Sequence, residues 1–346
     1  MKWYTGQNLP ATHARPTFSE SWFYQHYGMI FGEKYCRDPI FRTEQDREAR
    51  RLLYDRFGRA GIGEIDPLPK PHLEICGHRL ISGLLGCEIY FQNDQAPSCR
   101  HLSLSNSSDI ASIPQPDLAS HFLSTEFRRQ GKLLMERYGT VDATINHGGP
   151  LNVAMSVLGS NALAYLIEAA DVMSPFLTLI ADFILECYDT LTVPFNPWLR
   201  EERNLFIGNC PVVMISPNLY REMVLPADLH FRRQASRFDL HHCGRMDRYL
   251  EEYRKLEPIN SIEVGWGSDL SAVRRAFPNV TLDLMINIYD LQTMPPETLK
   301  ETISSLVQQA GPSTRVRDVW VADIGPEVPD EKILEFIQAV DSAFAP

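Results

Sequence analysis

The sequence predicts an α/β protein, a single distorted (β/α)8 TIM barrel with an irregular N-terminal extension. Three observations predict it. From about residue 140, short β-rich runs alternate with helical runs, in at least six strand–helix units. Alternation at this spacing implies parallel strands. The 346 residues are 44% hydrophobic, enough for one large core, and α/β barrels of this size fold as one domain. The first third is irregular and rich in proline and aromatics, as an extension with excursions would be. The expected organisation is one domain over 1–346. Residues 1–60 form a helical extension and 61–346 a barrel with an early β excursion.

The elements follow in order. Glu44 to Phe57 reads as a helix, and GEIDPLPKPHLE (63–74) as a turn-rich connection. LLGCEIYF (84–91) and PSCRHLSLS (97–105) read as strands, and IPQPD (113–117) as a loop before the helix that reaches Tyr138. TVDATINHGG, NLFIGN, RFDLHHCG, SIEVGWG, TLDLMINI and DVWVADIG read as the barrel strands. Helices lie between them, one around Asp269 to Phe277, one from Pro296 and a last one from Asp330. Ser216 before Pro217 is a helix start, with serine as N-cap and proline at the first helical position.

Composition excludes some functions. A net charge of −11 gives no general attraction to nucleic acid or to an anionic membrane. The run Arg51 to Arg59 contains Asp55 and reads as a solvated helix face. Seven scattered cysteines do not make a disulfide framework. The N-terminus has no apolar signal core, and the longest apolar segment, Val172 to Val193, carries Asp182, Glu186 and Asp189 at helical spacing. A reducing cytoplasm is the expected location.

Strand alternation points to a site. Successive side chains face opposite ways. In RFDLHHCG, Phe238, Leu240 and His242 share one face; Asp239, His241 and Cys243 share the other. Glu263 lies opposite Ile262 and Val264 on the next strand, and Asp283, Met285 and Asn287 lie opposite Leu282, Leu284 and Ile286. The apolar faces suit the helix layer, so the polar faces point into the barrel. Barrel chemistry concentrates at the C-terminal strand ends. His241 and Cys243 point inward at such an end, while His242 points out. Imidazole, thiolate and carboxylate all bind zinc, and adjacent strands lie about 4.8 Å apart. A His-x-Cys pair alone is a weak signal, because a core histidine beside an inert buried cysteine looks the same. Facing, strand-end position and Glu263 strengthen it. Asp323, near the end of the last strand, is a candidate further ligand, with a loop carboxylate as the alternative reading.

Other polar residues fall near strand ends. Asn146 and Asn209 are candidate substrate contacts or turn residues satisfying local backbone. Asp283 and Asn287 are candidate pocket-wall groups. Asp239 lies deeper and is a candidate acceptor orienting His241, or simply a buried polar partner. Cys210 reads as core, and His147 as outward-facing. GIG (61–63) is no dinucleotide fingerprint, since the third glycine and the following helix are absent.

These residues carry a resemblance. ISPNLYREMVLP (215–226), HHCG, IEVGWGSDLSAVRRAFPNVTL (262–282), FGEKYCRDP (31–39), INHGGPLN (145–152) and PEVPDEKILEFIQ (326–338) resemble the uroporphyrinogen decarboxylase superfamily. Most of the chain is covered. The closest branch is the zinc-dependent methyltransferases that work with corrinoid proteins. Their zinc motif is His-x-Cys, a Glu about twenty residues on, and a Cys near the C-terminus. His241, Cys243 and Glu263 match the first three positions. No cysteine follows Cys243; Asp323 lies at or within one residue of the last position.

The resemblance implies methyl transfer between a cobalamin and a small-molecule donor or thiol acceptor, with zinc as Lewis acid. Glu263 and Asp239 are the catalytic candidates. No corrinoid-binding Asp-x-His-x-x-Gly stretch occurs, so a partner corrinoid protein would carry the cobalamin. A homodimer is also in keeping with the resemblance. Two other classes stay open. One is a metal-free, uroporphyrinogen-decarboxylase-like lyase, although that branch's early arginine motif is absent. The other is a non-catalytic binding barrel.

Overall fold

The computed structural model describes residues 12–345. Six parallel strands form one curled sheet: β1 (Ala14–Phe18), β4 (Asn204–Gly208), β5 (Arg237–His242), β6 (Ser261–Val264), β7 (Thr281–Ile286) and β8 (Val316–Ile324). Their order is β1-β8-β7-β6-β5-β4, so strands from β4 onward neighbour in sequence order. Two more strands, β2 (Glu88–Gln92) and β3 (Gln95–Arg100), form a separate antiparallel hairpin.

Of the expected distorted (β/α)8 barrel, the described residues form a curled half-barrel of six parallel strands. Two irregular segments take part beside it. Leu73 N donates to Asp142 O at 2.8 Å across a parallel bridge between His72 and Asp142, and Gly208 N donates to Gly148 O. The chain itself prevents longer ladders there. Pro67, Pro69 and Pro71 carry no amide hydrogen to donate, and Gly148, Gly149 and Pro150 end the second segment. The segment read as a helical extension, 1–60, contributes β1, which pairs with β8 from Ala14↔Val319 to Phe18↔Ile324. Proline inside ARPTF hides that strand from a periodicity reading.

The helices form where their signals stand. Ser216 Oγ accepts from Leu219 N at 3.1 Å and caps the helix begun by Pro217. Asp269 caps Leu270–Ala276, and helices run from Pro296 to Ala310 and from Asp330 to Phe344. The outward strand faces pack under them. Phe238, Leu240, Ile262, Val264, Leu282, Leu284, Val319 and Val321 are all at most 1% exposed. Each such side chain contributes about 1.5–3 kcal/mol by burial. His242 belongs to this layer: it is fully buried, and its Nδ1 meets Tyr253 Oη at 2.7 Å. Among the described residues no single helix is long and apolar enough to cross a membrane.

Candidate metal centre

The inward face of β5 carries Asp239 and His241, and the chain continues to Cys243. β4 and β5 pair with Gly208 opposite His241. Two residues further along each strand, Cys210 therefore comes opposite Cys243. Asn209 N donates to His241 O at 2.8 Å and extends that pairing beyond β4. The result is a cluster: ligand atoms of Cys210, His241 and Cys243 all lie within 4.8 Å of one another. His241 Nε2 lies 3.0 Å from Cys243 Sγ, and Cys243 Sγ lies 3.2 Å from Cys210 Sγ.

β6 supports the histidine. Glu263 lies opposite His241 in the ladder. Its Oε2 meets His241 Nδ1 at 3.0 Å, and its Oε1 accepts from Arg15 Nη2 at 2.9 Å. Both carboxylate oxygens are thus engaged. Arg15 reaches the interior from β1, stacked over Trp320 at 4.7 Å. The rings of Trp320 and Phe206 flank His241 at 5.9 and 6.3 Å.

Charges follow from these contacts. Burial disfavours the His241 imidazolium, but Cys210 and Glu263 outweigh it and raise its pKa to about 9. Burial raises the Glu263 carboxyl; His241 and Arg15 overcome this and hold it down at about 2. The Cys243 thiol hydrogen-bonds Cys210 and, with His241, lowers the Cys210 thiol to about 4. Cys243 is pushed well up by the same hydrogen bond, then by burial and neighbouring anions. These contacts favour one proton shared by the cysteine pair, beside a histidine that holds its proton more tightly than a free imidazole.

This donor set fits zinc. Two sulfurs and an imidazole nitrogen are common zinc ligands, at about 2.3 and 2.0–2.1 Å from the ion. A tetrahedral site with those bonds has edges of roughly 3.6–3.8 Å, so small side-chain rotations would open the cluster enough. His241 would bind through Nε2 while its Nδ1–H is held by Glu263, an arrangement that fixes tautomer and ring orientation.

The remaining sequence candidates stand as follows. Glu263 meets the site through His241 and is not one of the three clustered ligands. Asp323 is outside the cluster; it is exposed, at a positive φ of 54°, with its amide donating to Thr17 Oγ1 at 3.2 Å. Its charge still reaches Cys243 and raises that thiol. Asp239 does not orient His241, because Glu263 has that place. Its Oδ1 instead accepts from Ser261 Oγ at 2.6 Å and Asn260 Nδ2 at 3.0 Å, lower in the sheet.

Asn209 is buried and reaches away from the lumen, its Nδ2 donating to Asp228 Oδ2 at 3.0 Å; Tyr220 Oη donates to the same oxygen at 2.8 Å. Burial raises Asp228 to about 6. This network fixes the turn that presents Cys210. Asp283 is buried and bound by Arg317, with Nε at 2.9 Å, and burial raises it to about 6. Asn287 Oδ1 caps a helix, accepting from Tyr289 N at 2.8 Å. Asn146 is exposed. His147 is buried against Phe231, their rings 5.3 Å apart. Cys210, read as core, is the member of the cluster that sequence reasoning missed. Aligning IGNC with LHHC at their strand ends would have found it.

Gly265 explains how closely the strand ends approach. A Cβ there would lie 2.3 Å from Gly244 N, Gly244 O and His242 O. Only glycine lets β6 pass the turn that carries Cys243.

No family model matches the sequence, and no curated protein matches it. Among solved structures, a methyltransferase from Methanosarcina mazei is similar, with a TM-score of 0.65 at 16% identity, covering 95% of this chain and 94% of that chain. At that identity the likeness shows that the two chains share a fold over nearly their whole lengths.

Proposed function

We propose that the chain is a zinc-dependent methyltransferase, moving a methyl group between a corrinoid held by a partner protein and a small-molecule donor or thiol acceptor. The observation that carries this reading is the convergence of Cys210, His241 and Cys243 at the C-terminal strand ends. The fold shared with a methyltransferase supports it, as does the motif resemblance around HHCG and Glu263.

Cys210, Cys243 and His241 Nε2 would hold the metal and leave a coordination position for substrate, as catalytic zinc sites do. Bound zinc supplies a Lewis acid that favours the anionic form of a thiol or alkoxide. Glu263 keeps the proton on His241 Nδ1, and Arg15 keeps Glu263 in place. Trp320 and Phe206 restrict water beside the histidine. Asp323 stands at the rim as an exposed carboxylate, available to a substrate or as an added oxygen ligand.

The test is zinc content of chelator-free protein, compared among wild type, His241→Ala, Cys210→Ala and Asp323→Asn. The reading expects about one zinc per chain in wild type and Asp323→Asn, and loss in the other two. Equal, negligible zinc in all four would overturn it.

A further inference from the structure

The two sulfurs of the metal centre have a second chemistry open to them. Five of the seven cysteines, Cys36, Cys76, Cys87, Cys99 and Cys187, are buried; Cys210 and Cys243 alone are partly exposed. Their sulfurs stand 3.2 Å apart, at strand ends that open on the mouth of the half-barrel. β4 and β5 run in register up to Gly208 opposite His241, and the bond from Asn209 N to His241 O carries the pairing one residue further. The two chains therefore leave the sheet side by side. Neighbouring strands lie about 4.8 Å apart, within the Cα separation of about 4.4–6.8 Å that a disulfide spans.

The sulfur separation lies between two bonded states. A disulfide bond is about 2.05 Å long, so the sulfurs would close by about 1 Å. Two sulfurs on one zinc stand roughly 3.8 Å apart, about half an ångström wider than here. Small rotations of the same two side chains reach either state, and the two states exclude each other. A disulfide leaves His241 as the one member of the cluster still able to bind a metal.

We propose that Cys210 and Cys243 are a reversible redox pair, joined into a disulfide by low-molecular-weight disulfides. On the methyltransferase reading, on which this consequence rests, the bond removes two of three zinc ligands and shuts the site. Bond formation itself does not depend on that reading. The thiolate sulfur of the pair attacks one sulfur of the small disulfide, and the other half leaves as a thiolate. The second sulfur of the pair passes its proton to that leaving group. It then attacks the mixed disulfide, closes the Cys210–Cys243 bond and expels the second small thiolate, which takes a proton from water. The protein loses two electrons; the small disulfide gains them and becomes two thiols. Excess small thiol reverses both steps and restores the ligands.

Sequence makes the test direct. Cleavage after Arg203 and Arg221 releases Cys210 on peptide 204–221, and cleavage after Arg237 and Arg245 releases Cys243 on peptide 238–245. The full chain, stripped by a chelator or loaded with zinc, is treated with oxidised glutathione. It is then alkylated, digested without reductant and weighed by mass spectrometry. Stripped wild type should give the two peptides joined, short of two hydrogens, without glutathione or alkyl groups. Cys210→Ser should give no joined peptide and keep one glutathione on Cys243. Zinc added first should slow the joining, and oxidation of the loaded chain should release the ion to a chromophoric chelator. Alkyl groups on both peptides of stripped wild type, or glutathione retained on both, would overturn the proposal even if zinc binds. Joined peptides from a chain that binds no zinc would uphold the redox pair and sink the metal reading.

Discussion

Glu263→Gln separates a ligand from a group that orients one. In the structure Glu263 accepts from Arg15 on one oxygen and from His241 Nδ1 on the other. Glutamine has one acceptor and one donor end. With its oxygen toward His241, its NH2 faces the Arg15 guanidinium, donor against donor. Turned over, its NH2 faces His241 Nδ1 and favours the tautomer with hydrogen on Nε2, which cannot bind metal. Loss of such an orienting partner costs about 10–100-fold in metal affinity, or about 1.4–2.7 kcal/mol. A direct ligand costs more. Structural zinc sites bind with roughly 10–16 kcal/mol over four ligands, so one ligand represents about 2.5–4 kcal/mol. Cys210→Ala should therefore weaken zinc on the order of 10²–10³-fold. Competition with a chromophoric zinc chelator measures both variants. The reasoning fails if Glu263→Gln costs as much as Cys210→Ala, which would make Glu263 a direct ligand, or if it costs nothing.

Other consequences follow from the same geometry. At pH 7 the contacts leave one proton on the Cys210–Cys243 pair and one on His241 Nε2. Zinc binding should thus release close to two protons per ion, measured by calorimetry in buffers of different ionisation enthalpy; release near zero would contradict this charge arrangement. In metal-free protein the pKa of His241 is raised, so its stabilising contribution is fully present below about pH 6.5 and lost as pH rises through about 9. Thermal unfolding across that window should show a decline that is shallower in Glu263→Gln; identical slopes would count against the ion pair. Gly265→Ala forces a methyl group into backbone at 2.3 Å and should cost at least about 1–3 kcal/mol together with zinc affinity; an unchanged Tm would refute the close approach. Tyr253→Phe leaves His242 Nδ1 buried without its partner, costing about 1–3 kcal/mol in denaturant unfolding while zinc binding stays intact.

Much of this architecture was legible because parallel strands write their two faces into the sequence. RFDLHHCG separates His242, which joins the aromatic helix layer, from His241, which enters the lumen, and the ladder sets Glu263 opposite His241. What escaped depends on contacts between distant segments. β1 is disguised by Pro16 and is defined by its pairing with β8. Arg15 matters because that pairing puts it opposite Trp320 and beside Glu263. Cys210 lies in an apolar turn, IGNCPVV, whose composition says core; the β4–β5 register makes it a neighbour of Cys243. Facing alone points Asp283 and Asn287 to a pocket wall and Asp239 to His241. Facing gives the side of a strand but not the depth, and a nearby hydroxyl, guanidinium or backbone amide takes each of them.

The most direct test of the central claim is the absorbance of methylcobalamin mixed with zinc-loaded protein and a small thiol. A zinc centre built on Cys210, His241 and Cys243 predicts loss of the methyl–cobalt spectrum that depends on zinc and disappears in Cys210→Ala. The same spectral change without zinc, or an undiminished rate in Cys210→Ala, would contradict it.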